Sequence, residues 1–132
     1  MKILLVDQEP RILQAFELIL LAAFQDATVL LAETHEKGLD LLMEHPDIEA
    51  IILDDNPDLF PDLLSRPILA YVREKRLKCV IMAASSSLRT NHLMVLLGCT
   101  HMAPQTEKNR VAKDLAPFAL ISLLATAGEP VP

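Results

Sequence analysis

Short apolar runs alternate with longer amphipathic stretches along the whole chain, and each run ends at turn residues or charges. The clearest run covers 48–53, between Pro46 and the two carboxylates of Asp54 and Asp55. Runs this short and this apolar are typical of strands that helices cover on both faces of a parallel sheet. Further strands are predicted at 2–6, 27–32, 78–83 and 100–103.

The stretches between these strands repeat apolar residues at helical spacing, and their ends carry boundary signals. Pro10 and Pro67 suit a first helical turn, where the missing N–H costs nothing. Thr34 and one serine of 85–87 are predicted N-caps, and Gly98 is a predicted C-terminal glycine. The predicted helices cover 10–23, 35–43, 66–76, 88–97 and a last segment from an N-cap at Asp114 to about 127.

Five strands alternating with five helices predict one α/β domain with right-handed crossovers. The expected architecture is a flavodoxin-like (βα)5 three-layer sandwich, with a parallel five-stranded sheet of order 2-1-3-4-5. The domain should occupy 1–127, and 128–132 are expected to form a disordered tail or linker. In this order the first and third strands are neighbours, so Asp7 and Asp54 should converge at the crevice where ligands bind.

Composition narrows the classes of function. The 132 residues are 52% hydrophobic and carry a net charge of −6, which disfavours nucleic acid as a direct partner. The longest apolar run, 18–24, is too short to span a bilayer, and no secretory signal precedes the first strand, so we expect a soluble, cytoplasmic protein without membrane contact. Cys79 and Cys99 lie in apolar surroundings and are expected to be reduced. No Gly-rich phosphate loop or nucleophile elbow is present, which disfavours an enzyme.

The carboxylates at the strand ends predict a cation site. Acidic groups gathered at one edge repel one another unless a hard cation shares their charge, and Mg²⁺ prefers such oxygen ligands. No lysine stands beside Asp7, Asp54 and Asp55 in the sequence. At least one of these carboxyl groups should therefore have a raised pKa through like-charge repulsion.

Two segments carry a family resemblance. Residues 2–10, KILLVDQEP, and 51–54, IILD, resemble the signatures of the response-regulator receiver domain of bacterial two-component signalling. The resemblance implies that Asp54 accepts a phosphoryl group from a histidine kinase. It also implies that helix 4, strand 5 and helix 5 form the face that responds. The implied Mg²⁺ ligands are Asp7, Asp54, Gln8 and Asn56.

Four positions depart from the family pattern. Gln8 stands where the family has a second acidic metal ligand. Ala84 replaces a Thr or Ser that binds the phosphoryl group, Thr100 replaces an aromatic residue, and Ala103 replaces a lysine. We therefore predict a degenerate receiver, a pseudo-receiver that signals by protein contact, with weak Mg²⁺ binding and weak or no phosphorylation.

Two alternatives remain open. In the first, the chain is a working phospho-receiver in which Ser85, Lys108 or Gln8 substitutes for a missing group. In the second, the acidic cluster is only a solvated loop on a flavodoxin-like binding fold, since a fold alone does not fix a function.

The fourth helix predicts an interface. Residues 93–97 are apolar through more than a full helical turn, so burying one face leaves apolar side chains outside. We predict a homodimer, or a constitutive partner, through helix 4, strand 5 and helix 5, with Met94 and Leu97 contributing. The alternative is a helix buried more deeply by 105–113.

Overall fold

A computed structural model describes residues 1–106 and 108–126. The five predicted strands and five predicted helices are all present. Two short 3-10 helices lie in the connections from β3 to α3 and from β5 to α5. The expected tail at 128–132 and the predicted end of the domain at 127 lie outside the described residues. The strands are β1 (Lys2–Val6), β2 (Thr28–Ala32), β3 (Ile48–Leu53), β4 (Val80–Ala83) and β5 (His101–Met102). The helices are α1 (Pro10–Ala23), α2 (His35–Glu44), α3 (Arg66–Glu74), α4 (Leu88–Leu97) and α5 (Ala116–Thr126).

The strands form one parallel sheet in the order β2-β1-β3-β4-β5, as the alternation of elements predicted. Side chains alternate between the two faces of the sheet, so each strand contributes residues to two hydrophobic cores, one on each face. Ile51 and Leu53 of β3 join the core under α2, α3 and α4. Ala50 and Ile52 join the opposite core, under α1 and α5. The result is the three-layer sandwich expected from the sequence.

The predicted boundary signals act where they were placed. Pro10 and Pro67 lie in the first turns of α1 and α3. The hydroxyl of Thr34 accepts a hydrogen bond from the N–H of Lys37, and that of Ser87 caps α4 in the same way. Gly98 ends α4 with φ of 134°, a conformation that other residues rarely adopt.

Several details differ from the sequence predictions. α3 ends at Glu74, two residues early, and β5 covers only His101–Met102. α5 begins at Ala116 after a 3-10 helix over Lys113–Leu115, so Asp114 lies inside that turn and does not cap the helix. Both cysteines are free, and burial raises the pKa of the Cys99 thiol to about 12.

The surface of α4 corrects the predicted interface. Met94 is fully buried in the core and Leu97 is partly buried against it, so Met94 presents nothing to a partner. Because residues 93–97 are all apolar, helical periodicity could not show which of them face the core. The apolar side chains that α4 exposes are those of Val95 and, at 83% exposure, Leu96. Within the described residues, no helix is long and apolar enough to cross a membrane.

Candidate functional site

Two carboxylates meet at the carboxyl edge of the sheet. The N–H of Asp7 donates to the carbonyl of Ala32, and the N–H of Asp54 donates to the carbonyl of Val6, both at 3.0 Å. Val6 and Leu53 face each other across β1 and β3, so the residues that follow them leave the sheet side by side. The convergence of Asp7 and Asp54 predicted from the strand order is confirmed.

A lysine joins both carboxylates. The Nζ atom of Lys113 lies 2.7 Å from Oδ2 of Asp7 and 3.0 Å from Oδ1 of Asp54. The three side chains are only 5% (Asp7), 15% (Asp54) and 20% (Lys113) exposed. The expectation that no lysine pairs with these acids is therefore wrong. The proposed substitute, Lys108, is exposed.

The chain delivers Lys113 by leaving the sheet edge and returning to it. We call residues 104–106 and 108–112 the return loop. Gln105 forms a bridge with Val111, and the N–H of Ala112 donates to the carbonyl of Pro104 at 2.7 Å. Lys113 therefore follows directly on the point where the chain rejoins Pro104, beside the position where the family pattern has its lysine.

The ion pairs shape the titration of the site. Burial raises the pKa of Asp54, the charge of Lys113 offsets only part of that effect, and the charge of Asp7 adds to it. Burial works to lower the pKa of Lys113, but the hydrogen bond and charge of Asp7 and the charge of Asp54 outweigh it, so that pKa is raised. A carboxyl group with a raised pKa was predicted, but desolvation is a larger cause than like-charge repulsion.

Asp55 has a structural role. Its Oδ1 accepts hydrogen bonds from the N–H groups of Asn56 and Leu64, at 2.8 and 3.2 Å, and its Oδ2 accepts one from the N–H of Ser65 at 2.8 Å. These bonds hold the loop after β3 and the residue before α3. Asp55 therefore has its own backbone partners, and its grouping with the uncompensated acids was wrong.

His35 is part of the site but was not predicted. Its Nε2–H donates to the carbonyl oxygen of Asp54 at 2.7 Å, and the hydroxyl of Ser65 donates to the same oxygen at 3.4 Å. Both bonds fix the backbone of Asp54 from the side of α2 and α3. One signal was available in the sequence, since His35 follows Thr34 at the carboxyl end of β2, on the same sheet edge as Asp54.

The four implied metal ligands are not arranged for Mg²⁺. Gln8 is exposed, and Oδ1 of Asn56 accepts a hydrogen bond from the N–H of Asp58. Oδ1 of Asp7 accepts one from the N–H of Glu9, while its other oxygen is held by the lysine. Mg²⁺ demands near-octahedral oxygen coordination. No group of three His, Cys, Asp or Glu residues in 1–106 and 108–126 is placed to hold a metal. With Lys113 between the two carboxylates, the side chains as they stand do not fit the ion.

The end of β4 supplies no hydroxyl at the expected position. Ala84 is buried, and its N–H donates to the carbonyl of Leu53 at 2.9 Å. The hydroxyl of the next residue, Ser85, accepts the N–H of Ser87 at 3.3 Å. The backbone of Ser85 exchanges two hydrogen bonds with the side chain of Asn91, at 2.8 and 2.9 Å. Ser85 is thus engaged in capping α4, which counts against it as a substitute.

The two departures that flank β5, Thr100 and Ala103, both make hydrogen bonds to β4. The hydroxyl of Thr100 accepts the N–H of Ile81 at 2.8 Å and donates to the carbonyl of the same residue at 3.1 Å. Ala103 is buried, and its N–H donates to the carbonyl of Ala83. Thr100 therefore connects the residue before β5 to β4 through its side chain. Ala103 connects the residue after β5 to β4 through its backbone.

Solved structures resemble this arrangement closely in fold and weakly in sequence. A response-regulator receiver domain protein from Clostridium thermocellum is 22% identical, with a TM-score of 0.65 over 94% of this chain and 96% of that one. A response regulator protein from Burkholderia multivorans is 20% identical, with a TM-score of 0.68 over 99% and 97%. The signal receiver domain of a DNA-binding response regulator from Colwellia psychrerythraea is 16% identical, with a TM-score of 0.70 over 95% and 98%.

The chain has the fold of a response-regulator receiver domain. No protein-family model and no curated protein sequence matches it. Identities of 16–22% support the receiver fold without carrying over the chemistry of those proteins. Within the receiver fold, this chain keeps an aspartate after β3 and a lysine beside it, and it lacks the second acidic residue and the hydroxyl that the family pattern has.

Proposed function

We propose that the chain is a receiver-like signalling domain of a bacterial two-component phosphorelay, of the pseudo-receiver type. It acts through protein contact and takes up phosphoryl groups weakly or not at all. The receiver part rests on Asp54, which lies at the crevice of the sheet beside Asp7 and Lys113. The weak phosphorylation rests on the two family groups that this crevice lacks, at Gln8 and Ala84.

The charges at the site support weak phosphorylation. A phosphoryl group brings about 1.5 to 2 negative charges at neutral pH, and Asp7 already carries one. Charge-assisted hydrogen bonds of about 1.5–3 kcal/mol each would normally offset the repulsion. Ala84 has no hydroxyl to donate, and Gln8 is neutral and exposed. The ammonium group of Lys113 is then the cation that can offset the negative charge of a phosphoryl group.

Lys113 favours a second candidate function. Its ammonium group contacts Oδ1 of Asp54 at 3.0 Å, which supplies one of the groups that the sequence had appeared to lose. A working phospho-receiver that accepts a phosphoryl group on Asp54 from a histidine kinase, with Mg²⁺, therefore remains the alternative. It would have to bind the phosphoryl group without a hydroxyl at position 84.

Intact-mass analysis after incubation with acetyl phosphate and millimolar Mg²⁺ separates the two candidates. The wild-type chain should gain little or no phosphoryl mass. The variant Gln8→Asp/Ala84→Thr, which restores both missing groups, should gain it, and adding Asp54→Asn should abolish that gain. A wild-type mass gain as large as that of Gln8→Asp/Ala84→Thr, and removed by Asp54→Asn, would overturn the pseudo-receiver and support the phospho-receiver.

The proposed partners are proteins: a histidine kinase or another signalling protein in the cytoplasm, and a second copy of this chain. The net charge of −6 disfavours direct contact with nucleic acid. The proposed homodimer uses α4, β5 and α5, where Val95, Leu96 and Phe118 are exposed apolar side chains. Arg89, the one charged residue on α4, lies over the ring of Phe60 at 3.9 Å from its centroid.

Sedimentation across micromolar concentrations tests the dimer. The wild type should associate, and Leu96→Glu should be monomeric with an unchanged circular dichroism spectrum. Met43→Glu is the matched control, because Met43 is an exposed apolar residue on α2, outside the proposed face. A wild type that stays monomeric, or equal weakening by both variants, argues against this face.

A further inference from the structure

We propose that Lys113 is the resident cation of this site, and that while its ammonium group is in place Asp7 and Asp54 do not bind a divalent metal. The inference goes beyond the proposed function, because it concerns what neutralises the acidic pair in the resting protein. It rests on the two ion pairs, on the partners of the remaining oxygen atoms and on the way the chain delivers the lysine.

The oxygen atoms are largely occupied by donors from the chain itself. Lys113 holds one oxygen of Asp7 and one of Asp54, and the backbone N–H of Glu9 holds the other oxygen of Asp7 at 2.8 Å. A divalent ion binding between the two carboxylates would have to displace the ammonium group from both. It would also have to give up water, which Mg²⁺ does reluctantly.

The charge balance no longer requires a metal. Two carboxylates against one ammonium group leave a single net negative charge in a pocket that is mostly shielded from solvent. In addition, the Gln8 substitution removes the carboxylate that would have supplied the attraction for a second positive charge. In the family pattern, a metal ion and a lysine together neutralise the acidic groups. Here the ammonium group of Lys113 alone neutralises them.

The covalent path keeps this cation at the site. Pro104 and Ala112 are joined by a backbone hydrogen bond of 2.7 Å, and Lys113 begins the 3-10 helix that leads into α5. Ala116 and Leu120 of α5 are buried in the core below. An ammonium group anchored on both sides has a high effective concentration at the pocket, which a free ion must overcome.

The inference predicts a gain of metal binding when the ammonium group is removed. Mn²⁺ is the probe, followed by electron paramagnetic resonance, with Mg²⁺ as competitor. Lys113→Met keeps most of the apolar stem and should bind Mn²⁺ at least about tenfold more tightly than the wild type, equal to about 1.4 kcal/mol. Lys113→Arg keeps the charge and should bind as weakly as the wild type. Adding Asp54→Asn to Lys113→Met should remove the gain.

Lys108→Met is the matched control, because it removes a lysine from the return loop without touching the pocket. It should bind Mn²⁺ as weakly as the wild type. The proposal is overturned if wild type and Lys113→Met bind Mn²⁺ with the same affinity. It is also overturned if Lys108→Met gains affinity for Mn²⁺ to the same extent as Lys113→Met.

A measurement on the wild type covers the case in which Lys113→Met does not fold. The backbone amide signals of Asp7 and Asp54 in nitrogen-15 NMR spectra should stay in place as millimolar Mg²⁺ is added. Saturable shifts would overturn the proposal. These results are independent of phosphorylation: a wild type that binds metal but gains no phosphoryl mass contradicts only this inference, and one that gains phosphoryl mass without such shifts contradicts only the pseudo-receiver.

Discussion

The ammonium group of Lys113 lies 3.0 Å from Oδ1 of Asp54, although 59 positions separate the two residues in the chain. The family pattern places its lysine at the end of the fifth strand, where this chain has Ala103. Here the charge comes from beyond the return loop, at the first residue of the 3-10 helix before α5. The pairing therefore ties the carboxyl edge of β3 to the start of α5 by a contact that the sequence motif does not contain.

Removing this contact should destabilise the fold. Lys113→Met leaves Asp7 and Asp54 side by side without a cation, and breaking a fully buried pair in this way costs about 3–5 kcal/mol. Because the lysine side chain is 20% exposed, we expect a smaller loss of about 2 kcal/mol in urea unfolding. Lys108→Met should change the free energy of unfolding by less than about 0.5 kcal/mol. Equal effects of the two variants would contradict the pairing.

The contribution of Lys113 to stability should be lost at alkaline pH. The pKa of Lys113 is raised above its ordinary value of 10.5. A group with a raised folded-state pKa contributes stability that is fully present below its unfolded value and is lost as pH rises through its folded value. The difference in unfolding free energy between wild type and Lys113→Met should therefore be constant from neutral pH to about 10 and shrink above it. A difference that is already falling near pH 8 would show that another group is responsible.

Substituting Asp54 should have the opposite effect on stability at neutral pH from substituting Lys113. The pKa of Asp54 is raised above 3.8, chiefly by burial, so its contribution to stability is full below that value and is lost as pH rises through the folded pKa. Asp54→Asn should therefore increase the free energy of unfolding at pH 7, by less than about 1 kcal/mol because a hydrogen bond from Lys113 weakens.

Urea titrations of Asp54→Asn at pH 5 and pH 7 provide the measurement. The advantage of the variant should shrink toward pH 5, where more of the wild-type carboxyl group is protonated. Asp40→Asn, a change at an exposed residue of α2, is the control and should have little effect at either pH. A variant less stable than the wild type at pH 7 would mean that Lys113 compensates Asp54 more fully than burial penalises it.

The sequence predicted the sheet order because the strands and helices are short, regular and bounded by residues with fixed conformational roles. Pro10, Thr34 and Gly98 act locally, so their effects could be read from neighbouring positions. The placement of Asp7 and Asp54 followed from the strand order alone. These predictions needed no knowledge of the path of any loop.

The lysine could not be predicted in the same way. Lys108 is nearer to Ala103 in sequence, but the bridge between Gln105 and Val111 turns the chain back and brings Lys113 to the pocket. Asn109, with φ of 57°, adopts the left-handed conformation that such a turn uses. A polar segment with Asn between Gln105 and Val111 was thus a weak hairpin signal, and its register decided which lysine reached the site.

The hydrogen bonds between Asn91 of α4 and the backbone of Ser85 lead to a further prediction. Asn91 is buried, and its side chain accepts the N–H and donates to the carbonyl of Ser85. Asn91→Ala leaves two backbone groups without partners in a buried place, so we expect a loss of about 2–3 kcal/mol in thermal or urea unfolding. His92→Ala, at the exposed neighbouring position, should cost less than about 0.5 kcal/mol. A small effect of Asn91→Ala would mean that water replaces the amide.

Gly38 tests how tightly α2 packs on β1, the strand that precedes Asp7. A Cβ atom added at Gly38 would lie 2.9 Å from Cγ2 of Val6 and 3.3 Å from Cδ1 of Ile68. Alanine should gain about 1 kcal/mol from helix propensity, but overpacking a dense core costs about 1–3 kcal/mol, and Val6 is short and stiff at χ1. We therefore expect Gly38→Ala to lower the free energy of unfolding by about 1 kcal/mol and to shift the amide signal of Asp7. Lys37→Ala, at the exposed neighbouring position, is the control for an alanine on α2 that meets no core atom, and it should be neutral or slightly stabilising. A Gly38→Ala variant that melts above the wild type would show that α2 can move away from Val6 at little cost.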